Sequence, residues 1–242
     1  MFDVLFTSEG IISLLTLTAL EIVLGIDNVI FISIIASRLP ALQQPIGRKV
    51  GLLSALVVRL LLLMVVQWII GLNTNLFTVM DIGLSGKDLI LMAGGLFLIA
   101  KSTSEIHTKM EHAGKTEDDL KGQTTANFTL VMAQIIFVDI VFSFDSILTA
   151  IGLVREIVIM AIAIVISISI MVAFVNQISD YVESHPTVKM LALSFLIMIG
   201  VLLVAESLDF HFPKGYVYFA MAYSFIVELL NIRLRKKSGA KF

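Results

Sequence analysis

Long apolar runs recur along the whole chain, and they constrain its fold more than any other feature. A helix needs about 20 mostly apolar residues to cross the hydrocarbon core of a bilayer. Seven segments meet this requirement, at 11–36, 50–71, 88–106, 127–152, 156–178, 189–208 and 215–232. A span in lipid is a helix or a strand of a closed barrel, and Leu60–Val66 lacks the alternation of a barrel strand. The sequence therefore predicts an all-α integral membrane protein with seven transmembrane helices.

The composition agrees with burial in lipid. Hydrophobic residues make up 58% of the chain and charged residues 15%, whereas soluble domains average about a quarter charged. Cysteine is absent, which excludes disulfides and thiolate metal sites. Asp3 and Glu9 precede the first span without any Lys or Arg, so the basic start of a cleavable signal peptide is missing. We expect the first span to be retained, the lipid bilayer to be a partner, and no nucleic-acid partner.

Lysine and arginine are concentrated on one side of the predicted membrane, in loops 37–49, 107–126 and 179–188, their flanks and the C-terminal tail. They are Arg38, Arg48, Lys49, Lys101, Lys109, Lys115, Lys121, Lys189, Arg233, Arg235, Lys236, Lys237 and Lys241. The other side carries only Lys87, Arg155 and Lys214. Because cytoplasmic loops are enriched in Lys and Arg, we predict an outside N-terminus and a cytoplasmic C-terminus.

Two stretches carry paired acids inside apolar segments. Glu21–Asn28 reads EIVLGIDN and Asp139–Ser146 reads DIVFSFDS. An acid opens each stretch and a second acid follows six residues later. A charged side chain at the centre of a bilayer is unfavourable by roughly 2.5–3.5 kcal/mol on insertion scales. A chain that carries this penalty twice at the same spacing indicates that the acids are functional.

The similarity between the two halves extends to a second pair of segments, since Gly95–Ser102 in the third span resembles Gly200–Ser207 in the sixth. Spans one to three then correspond to spans four to six, and the odd number of spans per unit inverts the second unit. Chance similarity of apolar helices is the alternative, but acids matched in spacing favour a repeat. Inverted repeats are common in secondary transporters, with the binding site near mid-membrane. Within a single membrane domain, 1–242, the predicted parts are a first three-helix repeat at 11–106, a cytoplasmic linker at 107–126, an inverted three-helix repeat at 127–208 and a seventh helix at 215–232.

The inverted arrangement also predicts how the acids are layered. It places Glu21 level with Asp145, and Asp27 level with Asp139, in two layers about 9 Å apart. Gly25 in the first stretch and Ser143 in the second would permit local unwinding, which would bring these oxygens together.

The oxygen atoms of both stretches form a candidate metal site. Its ligands would be Glu21, Asp27, Asn28, Asp139, Asp145 and Ser146. Carboxylate, amide and hydroxyl oxygens suit Mg²⁺, Mn²⁺ or Ca²⁺ rather than copper or structural zinc. The acids can equally carry protons, and the roles are compatible because a metal displaces protons from the carboxylates that bind it. Met132 and Met160 could add a softer ligand, although packing is the simpler interpretation.

Five further polar residues are candidate accessory groups: Arg59, Lys101, Glu206, Glu228 and Asn231. Arg59 lies near the middle of the second span and is expected to neutralise an acid, either structurally or during transport. Lys101 and Glu206 lie near opposite ends of their spans, where the alternative is that they reach the headgroups. Glu228 and Asn231 share a face of the seventh helix and either line an inner vestibule or interact with the basic tail.

The linker contains His107, Glu111 and His112, whose spacing could bind a metal from a helix face. A solvated linker is the simpler interpretation of this segment.

The two acid stretches resemble the signature motifs of the TerC family of bacterial inner-membrane proteins. His185–Phe195 and Pro213–Tyr216 resemble the short YgdQ-like members especially, and the resemblance covers nearly the whole chain. It implies a multi-pass, seven-helix protein of the bacterial inner membrane, related to LysE-type exporters, in which the motif acids are functional. Family members are associated with manganese efflux and with supplying metal to exported enzymes, and the family name comes from tellurium resistance.

The expected function is export of a divalent metal cation, with Mn²⁺ the first candidate and proton exchange compatible with it. The metal would be the transported substrate, and no permanently bound cofactor is expected. The alternatives are a proton-coupled exporter of a small organic solute and a metal-handling membrane protein that does not transport. An enzyme is not expected, because the chain has neither a His-Glu-x-x-His nor a Gly-x-Gly-Asp motif. The sequence does not decide whether the protein forms a homodimer.

The predicted orientation can be tested with reporters fused after residue 242. A fluorescent protein should fold and fluoresce in the cytoplasm, whereas alkaline phosphatase, which needs the oxidising exterior, should be inactive. The opposite pair of results would overturn the orientation.

Overall fold

The computed structural model describes residues 7–65, 75–79, 82–111, 126–153, 156–210 and 212–238. These residues form seven helices and one antiparallel β-hairpin. The helices are α1 (Ser8–Ala36), α2 (Gln44–Met64), α3 (Gly86–Glu111), α4 (Phe128–Leu153), α5 (Ile157–Ser184), α6 (Pro186–Ser207) and α7 (Lys214–Ser238). The strands are β1 (Asn75–Val79) and β2 (Ile82–Ser85), which lie between α2 and α3.

Each of the seven apolar segments found in the sequence overlaps one helix. Within the described residues, α1, α3, α5, α6 and α7 are long and apolar enough to cross a membrane, and α4 contains the shorter apolar stretch Phe128–Phe144. Helix α2 is less apolar because it carries Arg48, Lys49 and Arg59. Residues 66–71 of the predicted second span lie outside the described residues. The chain is therefore an all-α membrane protein with a small hairpin.

Two details differ from the sequence-based expectation. The hairpin was not predicted, because strands of five and four residues beside an apolar run resemble the end of a span. Helix α3 continues through Glu111, so residues 107–111 are helical and not part of a loop. The rest of the predicted linker, except Ala126, falls outside the described residues.

Apolar side chains cover the outer surface of the bundle as well as its core. Fully buried examples are Leu17, Ile35, Leu91, Leu98 and Ile135, and exposed examples are Ile12, Leu15, Phe174, Val201 and Phe219. Soluble monomers rarely expose apolar patches beyond a few hundred Å², because water penalises them. The exposed apolar side chains fit a surface that is solvated by lipid.

The most extensive helix packing joins α3 to α6, followed by α1 to α5 and α2 to α4. Gly95 and Gly200 face each other in the first of these pairs. A Cβ on Gly95 would lie 2.6 Å from the carbonyl oxygen of Gly200, and a Cβ on Gly200 would lie 2.8 Å from that of Gly95. Gly95 also packs against Val204, and Gly200 against Ile99. Small residues thus let two backbones touch at positions that the sequence comparison matched.

Ion pairs gather at one end of the bundle, called the basic end here and defined by Arg38 and Arg48. Arg38 pairs with Glu105 of α3, and Arg48 pairs with Asp180 of α5 at 2.9 Å and with Glu183 at 2.7 Å. The end of α1, the start of α2, the end of α3 and the end of α5 therefore lie together. The sequence placed loops 37–49 and 179–188 on one side of the membrane, and the ion pairs of Arg48 with Asp180 and Glu183 agree with this grouping. The side of the membrane that the basic end faces stays a prediction.

The glycine contact predicts that Gly95→Ala and Gly200→Ala both destabilise the protein. Each added methyl group would press on a backbone oxygen that cannot move without shifting a helix, and overpacking of this kind amounts to about 1–3 kcal/mol. The thermal unfolding midpoint in detergent should fall for both variants. Gly215→Ala is the control, because a Cβ there would meet nothing within 4 Å. Equal midpoints for all three variants would contradict the contact.

Candidate functional site

Acids from the two repeated stretches meet at one arginine in the interior of the bundle. Arg59 of α2 donates from Nη1 to Glu21 Oε2 of α1 at 2.5 Å. Its Nε lies 3.6 Å from Asp139 Oδ1 of α4. All three side chains are buried, with exposed fractions of 2–3%. A single guanidinium therefore links the first acid of one stretch to the first acid of the other.

Neutral polar groups complete the surroundings of Asp139. Asn28 of α1 donates from Nδ2 to Asp139 Oδ1 at 3.3 Å, and the Ser143 hydroxyl donates to Asp139 Oδ2 at 3.2 Å. Ser146 is also buried, and its hydroxyl donates to the backbone carbonyl of Ser143 at 3.2 Å. Helical spacing explains the two serine contacts within α4, because residues three or four apart share a face, whereas the Asn28 contact joins α1 to α4. Three candidate ligands, Asn28, Asp139 and Ser146, thus belong to one polar cluster.

The charges of this cluster do not balance. Two carboxylates, when ionised, carry one more charge than Arg59 neutralises. Among the residues that the structure describes, the buried Nε of Arg59 has no hydrogen-bond partner, since its approach to Asp139 at 3.6 Å is an ion-pair contact only. Buried ion pairs are stabilising only when geometry and hydrogen bonding are good, because removing charges from water is unfavourable. With both acids ionised, the described part of the cluster would carry one net negative charge.

Two small cavities adjoin the cluster. One is lined by Leu17, Glu21, Leu63, Ile147, Met160, Ala163 and Ile164. The other is lined by Leu24, Arg59, Phe142, Ser146, Ile199, Leu203 and Tyr218. Glu21 therefore borders one space and Arg59 borders the other. Tyr218 belongs to α7, so the seventh helix also contributes to the walls of the site.

The structure describes only part of the predicted ligand set. Asp27 and Asp145 lie on α1 and α4, but their side chains are outside the described residues. In the part of the chain that is described, no group of three or more acids and histidines is placed to hold a metal. Arg59 contacts both Glu21 and Asp139, which the predicted layering places about 9 Å apart. The layering itself also needs Asp27 and Asp145, and it stays a prediction.

The remaining polar candidates lie apart from the cluster. Lys101 is half-buried on α3, one turn before Glu105. Glu206 pairs with Lys87 at 3.5 Å, where the end of α6 meets the start of α3. These contacts place Lys101 towards the basic end and Glu206 at the opposite end, so the structure does not bring them together.

On α7, Asn231 donates to Glu228 Oε2 at 3.5 Å, in agreement with a shared helix face. Within the described part of the chain, the other oxygen of Glu228 is buried and has no hydrogen-bond partner. Glu228 and Asn231 pair with each other. This contact does not distinguish a role in an inner vestibule from an interaction with the basic tail.

His107 and Glu111 form an exposed contact of 3.1 Å within α3, and His112 lies outside the described residues. Met132 is buried and packs near Gly47, which fits its interpretation as a packing residue. Met160 is buried beside Glu21 in the first cavity.

Sequence reasoning missed two contributors. Met171 of α5 is buried with its sulfur against Gly25, in the middle of the first acid stretch. Tyr218 of α7 reaches the cavity at Arg59. The mid-helix glycine was a usable signal for the first, because glycine inside a helix often marks close approach by another side chain. Nothing in the sequence around Tyr218 distinguishes it from other membrane aromatics.

Known proteins match nearly the whole length of this chain. Residues 6–240 match the sequence model of the integral membrane protein TerC family. A UPF0053 protein of Haemophilus influenzae is 49% identical over 236 residues, which cover 98% of this chain and 99% of that protein. The UPF0053 inner membrane protein YgdQ of Escherichia coli is 48% identical over 223 residues, 92% of either chain. YoaE, a UPF0053 inner membrane protein of the same organism, is 46% identical over 218 residues, 90% of this chain and 42% of YoaE.

No solved structure matches the chain. The family match extends over nearly every residue, and it includes both stretches that supply the acids at Arg59. The chain belongs to the TerC family of integral membrane proteins.

Proposed function

We propose that this protein exports a divalent metal cation, with Mn²⁺ the first candidate, across the bacterial inner membrane. The observation that carries the proposal is the pair of buried acids, Glu21 and Asp139, which come from two similar stretches and share one arginine. Their oxygens, with those of Asn28 and Ser146, form the hard ligand set that such ions prefer. Intramembrane acids that face a bundle interior commonly mark ion pathways.

An inverted repeat, with α1–α3 related to α4–α6 and α7 added, underlies the proposal. The reciprocal contacts of Gly95 with Val204 and of Gly200 with Ile99 support it. In the sequence comparison position 95 matches 200 and position 99 matches 204, so each contact is the other with the halves exchanged. A twofold axis between two units produces this reciprocity. The pairs α1–α5 and α2–α4 are exchanged by the same relation.

Arg59 would act as an internal cation that the metal replaces. In the arrangement described above, its guanidinium holds the acids that an incoming ion needs. Arg59 borders a cavity lined by Ser146 and Tyr218, and the guanidinium would withdraw from the acids towards this cavity. The acids would then bind either the metal or Arg59, but not both. When no metal is bound, Arg59 would neutralise the acids, so they would not stay charged without a partner inside the membrane.

The basic end would face the cytoplasm, as its lysines and arginines predict. Its ion pairs, together with the buried contact between the Ser33 and Ser179 hydroxyls, close the bundle between the cluster and that end. Alternating access requires such a closure on one side of the site at a time. Release of these contacts would open the site to cytoplasmic metal.

Purified protein in liposomes provides the direct test. Mn²⁺ should cross the membrane in protein-containing vesicles and not in empty ones, and an imposed pH gradient should change the rate if protons exchange. Flux of an organic solute without any metal flux would support the proton-coupled alternative. Metal binding without flux would support a metal-handling protein that does not transport.

Asp27→Asn and Asp145→Asn should each abolish Mn²⁺ efflux while leaving the amount of protein unchanged. Each change removes a negative charge from the proposed pathway but keeps the shape of the side chain. Cells lacking other manganese exporters, with intracellular Mn²⁺ measured by mass spectrometry, give the readout. Glu9→Gln, in the exposed first turn of α1, is the control. Wild-type efflux in both aspartate variants would contradict the proposal.

Arg59→Met should destabilise the protein and make its stability depend on metal. Removing one partner of a buried ion pair is unfavourable by about 3–5 kcal/mol, because the remaining charges are uncompensated. Mn²⁺ should then raise the unfolding midpoint of Arg59→Met more than that of the wild type, since a ligand that binds only the folded state stabilises it.

Arg48→Met is the matched control, because Arg48 is equally buried but pairs with acids at the basic end. Its midpoint should fall without a comparable response to Mn²⁺. The same response to Mn²⁺ in both variants would contradict the role of Arg59.

A further inference from the structure

A thioether lies in the middle of the first acid stretch. An ideal Cβ on Gly25 would stand 2.7 Å from Sδ and 2.9 Å from Cε of Met171. The sulfur of Met171 therefore rests directly on the backbone of α1. Its side chain is buried, with an exposed fraction of 5% for the residue.

The position of this sulfur follows from helical geometry. Glu21, Gly25 and Asn28 are four and three residues apart, so they lie on one face of α1. The sulfur against Gly25 is thus flanked by Glu21 about 6 Å away along the axis on one side and by Asn28 about 4.5 Å away on the other. Glu21 contacts Arg59, and Asn28 contacts Asp139. The thioether lies on the face that carries the polar cluster.

Helix α5 presents this sulfur as part of a surface that follows α1. Met160, Ala163 and Ile164 line the cavity beside Glu21, and Met171 lies seven residues beyond Ile164. The Ser33–Ser179 contact fixes the register of the same two helices nearer the basic end. Residues of α5 therefore face α1 from Glu21 to Ser33, with Met171 between them.

We propose that the Met171 thioether is a ligand of the transported cation and gives the site its preference for Mn²⁺ over Mg²⁺ and Ca²⁺. The inference deepens the proposed function and rests on it. Mg²⁺ and Ca²⁺ are hard ions that take oxygen ligands, so a sulfur in the shell disfavours them. Transition ions accept softer ligands more readily. The carboxylates attract Mn²⁺, Mg²⁺ and Ca²⁺ alike. Specificity would arise because the thioether weakens the binding of Mg²⁺ and Ca²⁺.

Gly25 has a defined part in this arrangement. Any side chain at position 25 would clash with the thioether, because its Cβ would lie 2.7 Å from the sulfur. A glycine inside a helix is less favourable than an alanine. Gly25 therefore makes α1 less stable but leaves the space that the Met171 sulfur fills.

The test compares Met171→Leu with the wild type in two measurements. The first is Mn²⁺ flux into proteoliposomes with Mg²⁺ as competitor. The second is X-ray absorption at the cadmium edge, with Cd²⁺ as a thiophilic probe. The chain has 11 methionines and no cysteine, so sulfur next to bound cadmium can come only from a thioether. Leucine fills nearly the same volume as methionine, so the packing of α5 on α1 should be kept.

Met171→Leu should lose the sulfur signal and lower the preference for Mn²⁺ over Mg²⁺ roughly tenfold. Loss of a residue that only supports a metal ligand already lowers metal affinity by roughly 10–100-fold, and tenfold is the lower end of that range. Gly25→Ala, which displaces the sulfur without removing it, should do the same. Met132→Leu is the control, since Met132 is a buried methionine near Gly47, a helix glycine outside the cluster. It should keep both the signal and the preference.

An unchanged sulfur signal and an unchanged preference in Met171→Leu would overturn the inference while leaving metal export intact. If the wild type moves no metal but its sulfur signal disappears in Met171→Leu, the ligand assignment stands and the exporter proposal fails. Equal unfolding midpoints for the two methionine variants would confirm that both fold.

Discussion

The interaction on which this structure depends is the burial of Glu21 and Asp139 around one guanidinium. Lipid and a packed interior both penalise isolated charge, so each of these side chains needs the others in order to stay ionised. Arg59 satisfies part of that need, and Asn28 and Ser143 add hydrogen bonds to Asp139. In the proposed function, two ionised acids against one guanidinium would attract a cation into an otherwise apolar bundle.

The surrounding helices hold this cluster by close packing at a few small residues. Gly95 and Gly200 bring α3 and α6 into backbone contact, and Gly25 lets the sulfur of Met171 reach α1. Because the first contact is reciprocal, it joins positions that the comparison of the two halves of the sequence matched. The acids of α1 and α4 come from the two matched stretches. In the proposed function, packing and charge would both belong to one inverted repeat, with the site between its two units.

Much of this architecture could be predicted from the sequence. Apolar runs of sufficient length located every described helix, the matched acids located the cluster, and the segregation of Lys and Arg located the basic end. The hairpin was missed because its short strands adjoin an apolar run. The sequence predicted that Arg59 neutralises an acid but not which acids, and Gly25 signals a close approach but not Met171 as the partner. Both depend on the rotation of each helix about its axis. Residues as far apart in sequence as Glu21 and Asp139 provide no local signal of that rotation.

The exchange of Arg59 for a metal is the central claim, and a structure of the protein with Mn²⁺, using anomalous scattering at the manganese edge, tests it most directly. The account predicts a manganese peak bound by oxygens of Glu21 or Asp139, with the guanidinium of Arg59 withdrawn from both. Manganese bound elsewhere, with Arg59 still joined to the two acids, would contradict it.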